Sequence, residues 1–522
     1  MINPQQSNRG LNRRQFLSGI LATGAAASSC SLLAQVSAGS SSERPPNILF
    51  ILSDDLGWMD TAVYGSTYYQ TPNVDALAKR GKLFTRAYAM PVCSPTRASV
   101  LTGQNAGRLG FSMPAGHYEK AILKPKLVNK AHPYQKVMQA NIATRLDNSL
   151  DTYAEALKRV GYTTAFMGKW HLGRAPHIPE NQGFDQVIGG GHSWGPPGGY
   201  FAPWSQESLP EAPDGTHITD LLTDEAIGYL ETRAKEDKPF LLNLWYYDVH
   251  SPFQAKEDLI AKHKARIDLA DTQRCPTMAA MIETMDKNIG RVIEALDRLK
   301  LAENTVVIFS SDNGGHMYKI VDGTTPTNNA PLQKGKGSIY EGGVRIPMIV
   351  AWPGKIEPGT TCNDLVSCED YYPTLLEIAG AKPAEGQPID GMSILPLLKS
   401  EGTLSERTIV THFPRYISIS DGVPCTSVHQ LPWKLIRFYH DNPDQTHRYE
   451  LYNVVEDLGE TRNLADSYPK RVKAMDAMIE RYLKETGALV PKVNPAYDPK
   501  VVPPESLYHK IQRQLAEKKT GP

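Results

Sequence analysis

The sequence predicts an α/β fold: a large mixed, mostly parallel sheet sandwiched by helices, then a smaller α+β unit with a short antiparallel sheet and a helix. Three observations carry this expectation. Continuous apolar runs at 47–52, 240–247 and 305–309 lack polar alternation, so they read as strands covered on both faces. Between the second and third, Met278, Ile282, Met285, Ile289, Val292, Ile293 and Leu296 recur at three- and four-residue steps, which gives a helix one buried face. From about residue 405, short strand-like stretches (408–411, 433–439 and 449–455) precede a helix at 469–485, with a last helix near 507–517.

At 522 residues the chain exceeds one core's usual size, so it divides into a segment before the fold (1–43), a large domain (44–404) and a smaller unit with a tail (405–522). Residues 1–43 read as an export signal and linker. Arg13 and Arg14 precede a weakly apolar run, and Val36-Ser37-Ala38 resembles a cleavage site. The paired arginines look like a twin-arginine signal, which implies a periplasmic or secreted protein. The run is too short and too rich in small residues for a stable transmembrane segment. Cys30 fits a lipoprotein anchor poorly, because Ala27-Ser28-Ser29 precedes it. Hydrophobic content of 41% leaves an ample core, and a formal net charge of zero offers no global field to attract nucleic acid. None of the six cysteines forms a C-x-x-C pair. Cys362 and Cys368 either bridge in an oxidising compartment or stay buried as thiols.

Each predicted strand ends in polar residues: Ser53-Asp54-Asp55, Asp248-Val249-His250-Ser251-Pro252 and Ser310-Ser311-Asp312-Asn313-Gly314-Gly315. In open α/β sheets ligands bind beyond the carboxyl ends of strands, so these three ends point at one site. Two further segments carry reactive groups. Cys93-Ser94-Pro95-Thr96-Arg97 runs on to Leu101-Thr102-Gly103, and Gly168-Lys169-Trp170-His171-Leu172-Gly173 offers a lysine and a histidine two residues apart. If extended, the second segment points both side chains to one face.

Together these segments resemble the signatures of the type I, formylglycine-dependent sulfatases of the alkaline phosphatase superfamily, over residues 46 to about 465. The resemblance implies that Cys93 is oxidised to formylglycine by a formylglycine-generating or anaerobic maturase. It implies a divalent cation bound by Asp54, Asp55, Asp312, Asn313 and the residue-93 side chain, calcium being expected and magnesium also compatible with oxygen ligands. Arg97, Lys169 and Lys336 (in Gly335-Lys336-Gly337) would neutralise the sulfate; Lys334 is expected to be solvated. His250, helped by Lys336, would protonate the leaving alcohol, and His171 would take the proton that lets sulfate depart. Both imidazoles titrate near neutrality unless perturbed. The segment at 457–463 resembles the family's carboxy-terminal turn, with no evident chemistry.

The substrate implied is a sulfated carbohydrate or aryl sulfate. An insertion at 117–150 holds six Lys/Arg against Glu119 and Asp147, either guiding a polyanion or forming a solvated face. The Gly- and Pro-rich stretch at 189–204 includes His192 and Trp194, which either stack on sugar or pack within the loop. His316 is a further substrate candidate. Two other readings stay open: a phosphodiesterase or phosphonate monoester hydrolase of the same superfamily, and a non-catalytic sulfated-glycan binder if Cys93 is unmodified.

Overall fold

The computed structural model describes residues 44–206, 208–404 and 406–520; Arg13, Arg14, Cys30 and the small residues at 36–38 lie outside the described residues. Nine strands form the main sheet: β1 (Asn47–Ser53), β2 (Lys82–Tyr88), β3 (Thr163–Gly168), β4 (Gln186–Gly189), β5 (Phe240–Trp245), β6 (Thr305–Ser311), β7 (Arg345–Ala351), β8 (Thr360–Cys362) and β9 (Val366–Ser367). Their order is β9-β2-β7-β6-β1-β5-β3-β4, with β8 also on β2. β1 runs parallel to both neighbours, β5 and β6, while β7 is antiparallel to β6 and β2. The sheet is therefore mixed and mostly parallel. The sheet extends on both sides of β1, through β6 and β7 and through β5 and β3, and ligands of such sheets bind beyond the carboxyl ends of the strands.

All seven residues of β1 are buried, because each face meets helices. Ile48, Phe50 and Leu52 enter one core layer with the helices Cys93–Thr102, Tyr153–Arg159 and Tyr371–Ala379. Leu49 and Ile51 enter the other, with Ile218–Arg233 and Pro276–Arg298. Each such side chain contributes about 1.5–3 kcal/mol on leaving water. The long helix matches the periodicity read at 278–299, extended at its start by Pro276, which loses no hydrogen bond in a first turn. Among the described residues no helix is long and apolar enough to cross a membrane. All five described cysteines are buried free thiols, so Cys362 and Cys368 do not bridge.

A second, antiparallel sheet holds β10 (Ile409–Phe413), β11 (Cys425–Gln430), β12 (Trp433–Phe438) and β13 (Arg448–Asn453) in that order. β11, Cys-Thr-Ser-Val-His-Gln, has no apolar run to mark it in the sequence. One face of this sheet buries Val428, Leu435 and Leu451 against Met475, Ile479 and Leu483 of the helix Pro469–Thr486. The other face packs Phe413, Ile436 and Phe438 on Val92 and Ile339, the first of them next to Cys93. Arg44–Pro522 forms one compact unit.

A buried polar seam joins the sheets. Glu341 meets His429 at 2.9 Å, Lys434 at 3.1 Å and the Tyr88 hydroxyl at 2.8 Å, and Lys434 reaches Glu460 at 2.7 Å. Glu460 comes from the turn at 457–463, so that turn supplies a buried charge partner. Burial pushes the Glu460 carboxyl up to about 7. Glu341 is held low because Lys434 and His429 outweigh the same burial penalty. Replacing Lys434 by Met should leave two buried carboxylates facing each other, at a cost of about 3–5 kcal/mol. Chemical unfolding of Lys434→Met measures this, and adding Glu341→Gln should recover part of the loss; a midpoint unchanged from the parent protein would refute the account.

Candidate active site

The site begins with a buried helix. All ten residues of Cys93–Thr102 are buried, and Pro95 is tolerated because it sits in the first turn. Gly103 ends the helix in the left-handed region at φ 68°. Cys93 thus lies at the positive end of the helix, where an anion is favoured. Ser94 Oγ donates to the His171 carbonyl at 2.9 Å and accepts from the Ala115 amide at 3.0 Å, which fixes that end.

Arg97, one turn on, is fully buried. Its Nε donates to Asp312 Oδ2 at 2.9 Å and its Nη1 to the Lys169 carbonyl at 2.6 Å, with the guanidinium 5.3 Å from the Trp245 ring centre. It therefore braces the carboxylates rather than standing free. Lys169 Nζ meets Asp54 Oδ2 at 2.6 Å, and Lys336 Nζ meets Asp55 at 2.7 Å. Asp54, Asp55, Asp312 and Asn313 all sit just beyond β1 and β6, as their place in the sequence predicts.

The two aspartates differ electrostatically. Burial raises Asp54, with Asp312 and Asp55 adding to the effect against Lys169. Burial acts on Asp55 too, but Lys336 and His250 outweigh it and hold this carboxyl well below the usual range. Asn313 Nδ2 donates to Asp55 Oδ1 at 2.8 Å, which leaves Asn313 Oδ1 buried with no partner; Asp54 Oδ1 is likewise orphaned. Two unpartnered buried oxygens among three carboxylates fit a hard cation. Potential ligand atoms of Asp54, Cys93 and Asp312 lie within 4.8 Å of one another, as do those of Asp54, Asp55 and His250.

The histidines depart from the sequence expectation twice. First, residues 169–171 are not extended: β3 ends at Gly168, and His171 turns left-handed at φ 57°. Both side chains still reach the site, because the turn aims His171 Nδ1 at Cys93 Sγ, 3.3 Å away. Such a backbone costs a non-glycine residue about 1–3 kcal/mol. Second, neither imidazole stays near neutrality. Burial and then Lys169 push His171 well below the usual value, and burial and then Lys336 do the same to His250. His250 lies 3.5 Å from Asp55 but accepts from Lys336 Nζ at 3.0 Å, which favours the neutral ring. Its Nδ1 then donates to the Ser251 carbonyl at 2.7 Å.

At the rim, Trp194 is 50% exposed and sets its ring against His250, with centroids 5.2 Å apart. Gly195 permits this, since a Cβ there would stand 3.0 Å from His250 Nδ1. His192 lies partly exposed on the same loop. His316 packs between Phe253 and Tyr318, and burial, opposed by Asp55, pushes it down to about 4. Lys334 is not solvated: it lies over the Tyr340 and Tyr508 rings, at 5.3 and 5.6 Å. Sequence reasoning missed His117, whose Nδ1 lies 2.9 Å from His171 Nε2. It stands outside every motif, and only the tertiary contact reveals it.

A family model described as Sulfatase matches residues 46–381, and one described as N-sulphoglucosamine sulphohydrolase, C-terminal, matches 335–487. A sulfatase of Formosa agariphila is 34% identical over 508 residues, covering 84% of this chain and 88% of its own. The N-acetylgalactosamine-6-sulfatase of Mus musculus is 32% identical over 390 residues, covering 70% of this chain and 68% of its own. The crystal structure of Ps i-CgsB in complex with k-i-k-neocarrahexaose superposes with a TM-score of 0.70 at 26% identity, covering 90% of this chain and 98% of that one.

The geometry makes Asp312 both an oxygen donor and the anchor of Arg97. Asp312→Ala should sharply lower the divalent metal content read by atomic emission. It should also lower the unfolding midpoint, since breaking a buried pair costs about 3–5 kcal/mol. Wild-type metal content in this variant would overturn the ligand assignment.

Proposed function

The chain belongs to the sulfatase family, and from that premise we propose that it removes sulfate from a sulfated carbohydrate, using Cys93 oxidised to formylglycine and a calcium ion held by Asp54, Asp55, Asp312 and Asn313. The observation that carries the reading is that Arg97, Lys169 and Lys336 pair with Asp312, Asp54 and Asp55, that His250 meets Lys336 and His171 meets Cys93, beside a carboxylate and an amide that each keep an unpartnered oxygen. When present, the calcium ion supplies positive charge against the sulfate, and formylglycine supplies a hydrated aldehyde where the thiol Sγ now stands.

The chain's own groups account for the remaining chemistry. A sulfate ester repels an anionic nucleophile, so fixed cations must already surround it. Lys169 and Lys336 provide that charge at buried positions, and Arg97 keeps Asp312 and the Lys169 backbone in register. Burial and then Lys169 hold His171 neutral, so its Nδ1 is suited to take a proton from the residue-93 side chain. Lys336 keeps its proton because Asp55, against the penalty of burial, raises it above the ordinary lysine value. The Lys336–His250 contact at 3.0 Å then holds a proton for the departing alcohol. Trp194 offers a flat apolar face for a sugar ring next to His250, and His316 borders Asp55.

In this reading residues 44–404 carry the reaction and 405–522 brace it through the Glu341 seam. Residues 1–43 direct export to the periplasm or beyond, and a maturase is the obligatory partner. The test is expression with a formylglycine-generating enzyme, the mass of the Cys93 peptide, and turnover of matched aryl sulfate and aryl phosphate. Oxidised Cys93 with faster sulfate release is expected; faster phosphate release would overturn the sulfatase reading. Cys93→Ala should lower turnover by at least about 10³-fold without shifting the unfolding midpoint. Undiminished activity would remove Cys93 from the reaction.

A further inference from the structure

Residues 116–119 pass over the His171 side of the pocket, and two arginines hold their backbone. Arg145, buried, donates to the carbonyls of Gly116, Tyr118 and Glu119 at 3.4, 2.6 and 3.0 Å and to that of Thr144 at 2.7 Å. Arg174 makes one such bond, from Nη2 to the His117 carbonyl at 3.2 Å, and its Nε is buried without a partner. Arg145 therefore makes most of the bonds that secure the segment, while part-exposed Arg174 adds one and keeps its Nε without an acceptor. A buried donor without an acceptor is costly enough to need an explanation.

Among the described residues, the groups that shift the two flanking histidines include no carboxylate. Burial and then Lys169, His192 and Arg174 lower His117, and burial and then Arg174 and Arg145 lower His192; no carboxylate opposes either shift. Beside Arg174 stands an aromatic surface. Tyr118 is 46% exposed and stacks on His117 with centroids 4.4 Å apart and 30° between the planes. His117 in turn touches His171 at 2.9 Å, and His171 touches Cys93 at 3.3 Å. A short run of contacts thus leads from Cys93 to an exposed ring near a guanidinium whose Nε has no acceptor.

We propose that Arg174, with His192 and the exposed ring of Tyr118, forms a second sulfate subsite beside the Cys93 pocket, so that the substrate is a glycan bearing at least two sulfates. The inference rests on the sulfated-carbohydrate reading above. A planar guanidinium matches sulfate oxygens in a two-pronged contact that a solvated lysine does not reproduce. Tyr118 supplies the apolar face that orients the intervening sugar ring.

Calorimetry on full-length Cys93→Ala protein tests this without turnover, using carrageenan tetrasaccharides with one or two sulfates per disaccharide. The doubly sulfated ligand should bind more tightly. Adding Arg174→Ala should erase that preference by weakening the doubly sulfated ligand about tenfold or more, and Arg174→Lys should restore part of it. Melting temperatures check that both variants fold. Equal affinity in the parent, binding of neither ligand, a preference surviving Arg174→Ala, or equal weakening of both ligands would overturn the subsite. Failure of the sulfatase reading is seen separately, as absent p-nitrophenyl sulfate turnover by the matured native enzyme.

Discussion

Three buried carboxylates, Asp54, Asp55 and Asp312, face three buried cations, Lys169, Lys336 and Arg97, and the centre of the molecule is organised by their mutual compensation. An ion taken out of water alone carries a penalty of several kcal/mol, so each charge is tolerable only while its partner is held close. The pairings tie together parts of the chain far apart in sequence. Arg97 locks the helix of Cys93 to the end of β6, Lys169 locks the end of β3 to β1, and Lys336 locks a distant loop to Asp55. The same compensation stays incomplete where it matters. Asp54 Oδ1 and Asn313 Oδ1 have no partner, and that residue of unsatisfied oxygen is what makes the cluster a fit for a cation.

The sheet topology explains why such a cluster forms at all. Parallel strands deliver their carboxyl ends to one edge, and β1, flanked by β5 and β6, stands where the chain diverges to both sides. Acids, histidine and amide arrive there on strand ends fixed by cores on both faces. The smaller sheet contributes indirectly. Its inner face shares a core with Val92 and Ile339, and its buried Lys434 neutralises Glu341 in the segment following Lys336. Rigidity at the reacting groups is therefore bought partly from packing that never touches them.

Much of this was legible because the signals are local. An unbroken apolar run ending in acids marks a buried strand and its polar terminus together, as in 47–55 and 305–313. Periodicity placed the long helix to within two residues at its start and one at its end. β11 escaped notice because its side chains alternate polar groups that find partners inside the fold, such as His429 on Glu341. His117, Arg174 and Glu460 escaped for a related reason: their importance lies in a contact across the chain, and a lone histidine, arginine or glutamate has no spacing to betray it.

The sequence by itself determined the α/β class, the strand ends that meet, and the residue types gathered there, since these follow from hydrophobic pattern and motif spacing. Only the tertiary structure decided their states. Burial beside lysines turned His171 and His250 from groups titrating near neutrality into neutral bases, and a left-handed turn brought His171 to Cys93 where an extended segment was expected. It also sorted the arginines, turning Arg97 and Arg145 inward as braces of a carboxylate and of backbone carbonyls while leaving Arg174 part-exposed with one backbone bond. The reason is physical: a side chain's charge and its unmet hydrogen bonds depend on neighbours and on lost water, and chain order specifies neither.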